Sequence, residues 1–265
     1  MRPEATWLFV PGNVPRRFAK AAAAGADAVV IDLEDAVRPE DKDTARAETL
    51  RWLTGGGQAW VRLNAAGTPW SDADIDAVAG ASGLLGVLVP KAEDPAALAA
   101  LSARLGTDTA VVALVETAAG LHRVHDVAAA PGVTRLAFGA LDLAADLGAD
   151  DTAEAMLFAR STIVLASRVA GLPPPIDGVT TVIDDADAVT TAARYARSVG
   201  FRGKLCIHPA QIGPAARGLT PGADEIAWAR EVLQAAGGSA GAVTGPDGRM
   251  IDKPVLDRAH AILRP

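Results

Sequence analysis

Eight short apolar runs, each followed by a stretch with the alanine content and spacing of a helix, constrain this chain more than any other feature. The runs are Thr6–Pro11, Ala28–Leu33, Ala59–Leu63, Gly86–Pro90, Val111–Val115, Arg135–Phe138, Pro175–Val179 and Lys204–Ile207. The helix-like stretches are Pro15–Ala24, Asp41–Leu53, Asp72–Ala79, Pro95–Leu105, Leu121–Ala129, Thr152–Ala170, Ala186–Val199 and Asp224–Ala236. Such alternation requires a parallel sheet, since a helix must carry the chain back before the next strand begins. Eight is the count that closes a barrel, and 265 residues, half of them hydrophobic, supply its core. The expectation is an α/β TIM (β/α)8 barrel over 1–236, with a C-terminal extension, 237–265, ending in the amphipathic helix KPVLDRAHAIL. That extension has no structural duty inside a closed barrel and is free to cover its own barrel or reach a neighbouring subunit.

The residues able to do chemistry follow the runs: Pro11-Gly12, then Asp32, Glu34 and Asp35, then Arg62 and Asn64, Lys91, Glu116, Gly139 and Asp142, Asp177-Gly178, and His208. A closed barrel builds its site from that rim, whereas an open sheet concentrates its site at one switch point. Pro11-Gly12-Asn13 lacks the G-x-G-x-x-G spacing of a dinucleotide site, and Gly55–Gly57 reads as a plain helix-to-strand turn. No G-x-S-x-G elbow supports a serine nucleophile.

A net charge of −7 and a pI near 5.1 argue against a nucleic-acid surface. The apolar runs are too short for a membrane span, and Pro11 and Gly12 interrupt the N-terminus too early for a signal peptide. A soluble cytoplasmic protein is expected. The lone Cys206 reads as a small buried core residue, and no Cys/His cluster has zinc spacing.

Within Ala110–Asp142, two apolar runs joined by a helix end in Glu116 and Asp142, which a parallel β–α–β unit brings to one sheet edge. A magnesium ion takes about six oxygens and usually keeps several waters, so two carboxylates and a chelating 2-oxo or 2-hydroxy acid would complete its shell. Either acid could equally cap the helix that follows. The backbone of Gly139, Ala140 and Leu141 is placed to offer N–H groups to the acid's carboxylate. Arg62 can fork onto an oxyanion, or pair with Asp32, Glu34 or Asp35. Asp32 and Glu34 share one side of their strand and read as groups that orient Arg62 or metal waters. Lys91 is a rim cation with a substrate or ion-pair role. His208 is either a base or a core histidine tied to a carbonyl, while His122, His125 and His260 lie on solvated helical stretches.

With these residues in place, the chain resembles the citrate lyase β-subunit-like branch of the HpcH/HpaI aldolase and citrate lyase family over nearly its whole length. The resemblance rests on LFVPGN (Leu8–Asn13) with Arg16 and Lys20 after it, DLEDAV (Asp32–Val37), VRLN (Val61–Asn64), VPK (Val89–Lys91), ALVETAAGL (Ala113–Leu121), AFGALDLAADLG (Ala137–Gly148), CIHP (Cys206–Pro209) and GRMID (Gly248–Asp252). It implies a Mg2+-dependent barrel, with Mn2+ as an alternative ion, that makes or breaks a carbon–carbon bond between a short 2-oxo acid and an acyl-CoA thioester. Residue by residue it implies that Glu116 and Asp142 bind metal and that Arg62 binds substrate and steadies the enolate. Arg16 and Lys20 would contact coenzyme A, and Asp252 would enter the site of an adjacent subunit as an acid–base group. A homotrimer or dimer of trimers follows from that last role. Departures are Ala5-Thr6-Trp7, where relatives carry Arg-Ser, and a chain shorter than some coenzyme A lyases, which bears on the lid over the thioester. Two neighbouring readings are a pyruvate aldolase, whose branch has a histidine where this chain has DLEDAV, and a citrate lyase β subunit acting on an acyl-carrier thioester.

Overall fold

In the computed structural model, eight parallel strands close into a barrel in sequence order: β1 (Thr6–Pro11), β2 (Ala28–Asp32), β3 (Ala59–Arg62), β4 (Leu84–Val89), β5 (Ala110–Val115), β6 (Val133–Phe138), β7 (Ile176–Asp177) and β8 (Gly203–Cys206). The structure describes residues 4–106, 108–237, 243–244 and 250–263. Around the strands run α1 (Phe18–Ala22), α2 (Lys42–Thr54), α3 (Ser71–Val78), α4 (Pro95–Leu105), α5 (Ala118–His122), α6 (Val124–Ala129), α7 (Ala140–Leu147), α8 (Leu157–Val169), α9 (Ala186–Val199) and α10 (Ile212–Leu219).

Alternation along each strand sorts the side chains into two shells. Trp7, Val30, Trp60, Leu88, Val112, Leu114, Ala137, Ile176 and Leu205 fill the barrel, with Trp7 and Trp60 rings 4.7 Å apart. Their outward neighbours, among them Leu8, Ile31, Val61, Val87, Val111, Leu136 and Cys206, pack under the helices. Cys206 is therefore core, and burial pushes its thiol up to about 11. Continued one step past the apolar shell, the same alternation turns Asp32, Arg62 and Glu116 toward the mouth. The register pairs Pro11 with Asp32 and Asp32 with Arg62, which sets those ends level. At the opposite end Arg135 closes the floor, donating to the carbonyls of Pro174 (2.8 Å) and Glu4 (2.7 Å).

Three expectations are corrected. Asp142 does not close a strand, because β6 stops at Phe138 and α7 begins at Ala140. The barrel's last helix is α10, which the sequence concealed behind Gly213 and Pro214; proline is tolerated there because first-turn N–H groups have no intrahelical partner. The helix expected in that place, α11 (Ala223–Ala236), belongs instead to a second compact unit. Contacts divide the chain into Met1–Leu219 and Thr220–Pro265, so the expected boundary after Ala236 moves to Leu219.

In the second unit α11 packs on α12 (Lys253–Leu263) through Ala229, Val232, Ala236 and Ala259, beside the short antiparallel pair β9 (Val243–Thr244) and β10 (Met250–Ile251). Gly248 and Arg249 of the GRMID motif, and 238–241 of the GGSAG stretch, lie outside the described residues. No helix among the described residues is long and apolar enough to cross a membrane.

Candidate active site

Arg62, the last residue of β3, is held by three carboxylates from the end of β2. Its Nε and Nη2 donate to Asp32 Oδ1 (2.7 Å) and Oδ2 (2.6 Å). Its Nη1 reaches Asp35 Oδ2 at 3.2 Å and stands 3.1 Å from Glu34 Oε2, an ion-pair contact without hydrogen-bond geometry. The guanidinium lies 4.7 Å over the Phe9 ring. Burial works against its charge, but Asp32, then Glu34 and Asp35, outweigh it and hold the pKa above the ordinary arginine value. Asp32 also accepts the N–H groups of Glu34 (2.8 Å) and Ala36 (3.0 Å).

The loop carrying these acids is fixed by Lys42, the first residue of α2. Its buried Nζ donates to the carbonyls of Leu33 (2.6 Å) and Glu34 (2.7 Å) and lies 5.2 Å from the centre of the Trp70 ring. Sequence reasoning missed Lys42, although a signal existed. A cation at the positive end of a helix dipole is unfavourable unless it has other partners. Asn64, named from the sequence without a role, instead buttresses the β3 end, donating to Asp74 from its backbone (3.0 Å) and side chain (2.6 Å). A cavity of about 370 Å3 opens beside these groups, lined by Glu34, Asp35, Lys42, Asn64, Trp70 and Lys91 among others.

Across the mouth, Glu116 follows β5 and is only 2 % exposed. Its Oε1 accepts the Lys91 N–H at 2.8 Å, while the Lys91 ammonium donates to Glu34 Oε1 at 2.9 Å. The other oxygen lies toward Gly139, where a β-carbon would come within 2.6 Å of Oε2 and 2.5 Å of the Glu116 Cβ. A side chain at 139 would therefore displace the carboxylate. Burial first, then repulsion from Glu34 and Asp142, push the Glu116 carboxyl up to about 8 despite the Lys91 N–H and Arg62.

Gly139 caps α7, and its own N–H is taken by the Val115 carbonyl at 3.0 Å. Of the three N–H groups expected to meet a substrate carboxylate, those of Ala140 and Leu141 stand in the helix's first turn, where no intrahelical acceptor exists. Asp142 is exposed in the same turn, at the end of the dipole that favours a negative charge.

Hard, all-oxygen donors at Glu116 and Asp142 suit a magnesium-type cation. Such an ion would also offset the repulsion that raises Glu116. Among the described residues no cluster of three or more His, Cys, Asp or Glu side chains is arranged for a metal, so water and ligand oxygens would complete the shell. His208 is not a core histidine. It is exposed, and its Nδ1 accepts the Ala210 N–H at 3.2 Å as a cap of the turn after β8. His122, His125 and His260 are exposed, as expected. Arg16 and Lys20 lie exposed one helical turn apart after β1. Asp252, in the second unit, caps α12 by accepting the Val255 N–H at 3.3 Å.

The chain is similar over nearly its whole length to proteins already known. A citrate lyase subunit beta-like protein of Mycobacterium tuberculosis is 39% identical over 265 residues, 97% of this chain and 94% of its own. An L-malyl-CoA/beta-methylmalyl-CoA lyase of Cereibacter sphaeroides is 32% identical over 303 residues, 99% of this chain and 94% of its own. Among solved structures, CitE of Mycobacterium tuberculosis in complex with magnesium, acetoacetate and coenzyme A superposes with a TM-score of 0.88 at 37% identity, covering 100% of this chain and 98% of that one. The family model of HpcH/HpaI aldolase/citrate lyase matches residues 5–209, which take in all eight barrel strands, and the chain belongs to that family.

Proposed function

We propose that this protein is a Mg2+-dependent carbon–carbon lyase that joins or separates a short 2-oxo acid and an acyl-CoA thioester, as in malyl-CoA or citramalyl-CoA chemistry. One observation carries the reading: a permanently charged guanidinium and a buried carboxylate of raised pKa share one barrel mouth, beside the first-turn N–H groups of α7. The solved relative that holds magnesium, acetoacetate and coenzyme A supports it.

Glu116 and Asp142 would hold Mg2+, which when bound withdraws electrons from the carbon between the oxo acid's carboxylate and carbonyl oxygens. The N–H groups of Ala140 and Leu141 orient that carboxylate. In the cleavage direction, once the substrate hydroxyl has lost its proton, the carbon–carbon bond breaks to a 2-oxo acid and a thioester enolate. Arg62 faces the developing negative charge, already oriented by Asp32, so little reorganisation accompanies the step. Asp252 from an adjacent copy in a trimer would protonate the enolate carbon, or in reverse remove a proton from the acyl methyl group. Arg16 and Lys20, a turn apart on one exposed face, would meet the coenzyme A phosphates.

Incubation with acetyl-CoA or propionyl-CoA in deuterated buffer, with Mg2+ and a panel of glyoxylate, pyruvate and oxaloacetate, tests this. Deuterium should enter the acyl methyl group and a hydroxyacyl-CoA should form. Glu116→Gln and Asp142→Asn should each abolish Mg2+ binding and both signals. Neither exchange nor condensation with any acid sinks the proposal, and co-purification with an acyl carrier would move the substrate to a carrier thioester.

A further inference from the structure

Lys91 is the sole non-glycine residue among the described ones with its backbone in the left-handed region, at φ 47°. A long side chain is strained there, and glycine would adopt the same conformation at no steric cost. The strain accompanies two contacts. The left-handed turn after β4 aims the Lys91 N–H at Glu116 Oε1, at 2.8 Å, and the side chain crosses to Glu34 Oε1, at 2.9 Å. The turn is also packed in place from behind. The Ala92 N–H donates to the Leu114 carbonyl at 3.1 Å, and a β-carbon at Gly120 would come within 2.8 Å of the Ala92 oxygen.

One residue thus holds both halves of the site, and the halves are different in kind. Glu116 is pinned by backbone geometry, which leaves its Oε2 on the Gly139 side. Glu34 is pinned by the ammonium, which keeps its Oε2 3.1 Å from Arg62 Nη1. Glu34 is 6 % exposed, and without the ammonium its Oε1 would lose the side-chain donor that fixes its rotamer beside Arg62. The Nη1 edge of the guanidinium would then keep only Asp35, at 3.2 Å, whose side chain is more than half exposed.

We propose that Lys91 is a positioning residue: its amide fixes the carboxylate of Glu116, and its side chain, through Glu34, sets the Nη1 edge of Arg62 that receives the oxo acid. A glycine in its place would satisfy the backbone and keep the amide contact, so the inference separates the two contacts. The identity of the ligands rests on the metal and oxo-acid reading above, while the partition between amide and ammonium does not.

The test uses the full-length protein with Lys91→Gly, Lys91→Arg and Glu116→Gln. Mn2+ affinity is read by electron paramagnetic resonance, pyruvate or glyoxylate affinity by calorimetry, and folding by thermal melting. Lys91→Gly should bind Mn2+ within about twofold of the parent, because the N–H and its turn persist, and its melting temperature should change little, the relieved backbone strain offsetting the lost contact to Glu34. Its oxo-acid affinity should fall about fivefold or more, and Lys91→Arg, which keeps a cation within reach of Glu34, should recover most of the loss. Unchanged oxo-acid affinity in Lys91→Gly overturns the proposal, and so does a joint loss of Mn2+ affinity and melting temperature, which marks a merely structural turn. If the parent binds Mn2+ equally well as Glu116→Gln, the metal reading fails alone. The oxo-acid loss with arginine rescue still decides for Lys91.

Discussion

Magnesium binding should expel a proton from this protein near neutral pH, and the amount follows from Glu116. Its carboxyl is 2 % exposed and is pushed from an ordinary 4.5 up to about 8, by burial first and by Glu34 and Asp142 after it. At pH 7 a group of that pKa is about nine-tenths protonated, whereas a metal ligand must be ionised, so about 0.9 proton leaves per ion bound. The sign for stability is set by the same displacement. A carboxyl with its folded pKa raised favours the folded state fully below about pH 4.5, and the advantage is lost as pH rises through about 8. Above that, ionised Glu116 costs the cation-free protein on the order of 5 kcal/mol, at about 1.4 kcal/mol for each tenfold in proton affinity. The melting temperature without Mg2+ should therefore fall between pH 5 and 9, and the rise caused by Mg2+ should widen over about that interval. Calorimetry at pH 7 in phosphate and in Tris reads the proton count directly from the difference in buffer ionisation heat. Apparent affinity should strengthen about tenfold per pH unit from about 6 to 8 and level off above about 9. Glu34, also raised by burial, acts in the same direction. Release of fewer than about 0.3 proton at pH 7, or the same release in Glu116→Gln, refutes the assignment of the proton to Glu116.

Gly139→Ala should place a β-carbon 2.5 Å from the Glu116 Cβ and 2.6 Å from its Oε2. Moving that carboxylate by about 1 Å should lower kcat/KM about a hundredfold and cost about 1–3 kcal/mol of overpacking; a Mn2+ titration and a melting curve check both. Lys42→Met should leave the Leu33 and Glu34 carbonyls without their ammonium donor, at about 1–3 kcal/mol for each buried acceptor. Denaturant unfolding measures that loss, and oxo-acid affinity should fall with it because the displaced loop carries the bracket around Arg62.

The barrel was legible because strand-length and helix-length runs alternate eight times, and Arg62 and Glu116 stood out because each closes one of those runs, where a barrel has its rim. Less legible were features set by short helices or tertiary contacts. The helix α7 begins so soon after β6 that Asp142 read as a strand end, yet it sits in a helical first turn. Gly213 and Pro214 masked α10, and a longer, better-formed helix pattern at Ala223–Ala236 took its place. His208 is not the core histidine that the apolar run before it suggested, because a cap made by a ring nitrogen depends on the turn after β8 and not on the residues beside it.

Why Glu116, and not one of the acids after β2, should face a cation follows from counting donors. A carboxylate has about four lone-pair sites. Asp32 fills them with Arg62 Nε and Nη2 and the N–H groups of Glu34 and Ala36, so it has nothing left to offer an ion. Glu34 divides its oxygens between Lys91 and Arg62. Glu116 receives one N–H and is repelled by Glu34 and Asp142, which the more weakly acting Arg62 does not offset. Summed over the mouth, five carboxylates, Asp32, Glu34, Asp35, Glu116 and Asp142, meet three cations, Lys42, Arg62 and Lys91. Fully ionised, the site carries two negative charges in excess, and they fall on the side where the donors are fewest. A divalent ion would balance that excess at Glu116, where ionisation is opposed most, and the guanidinium across the mouth, held through Nε and Nη2 by Asp32, is left to orient the substrate with its remaining N–H groups.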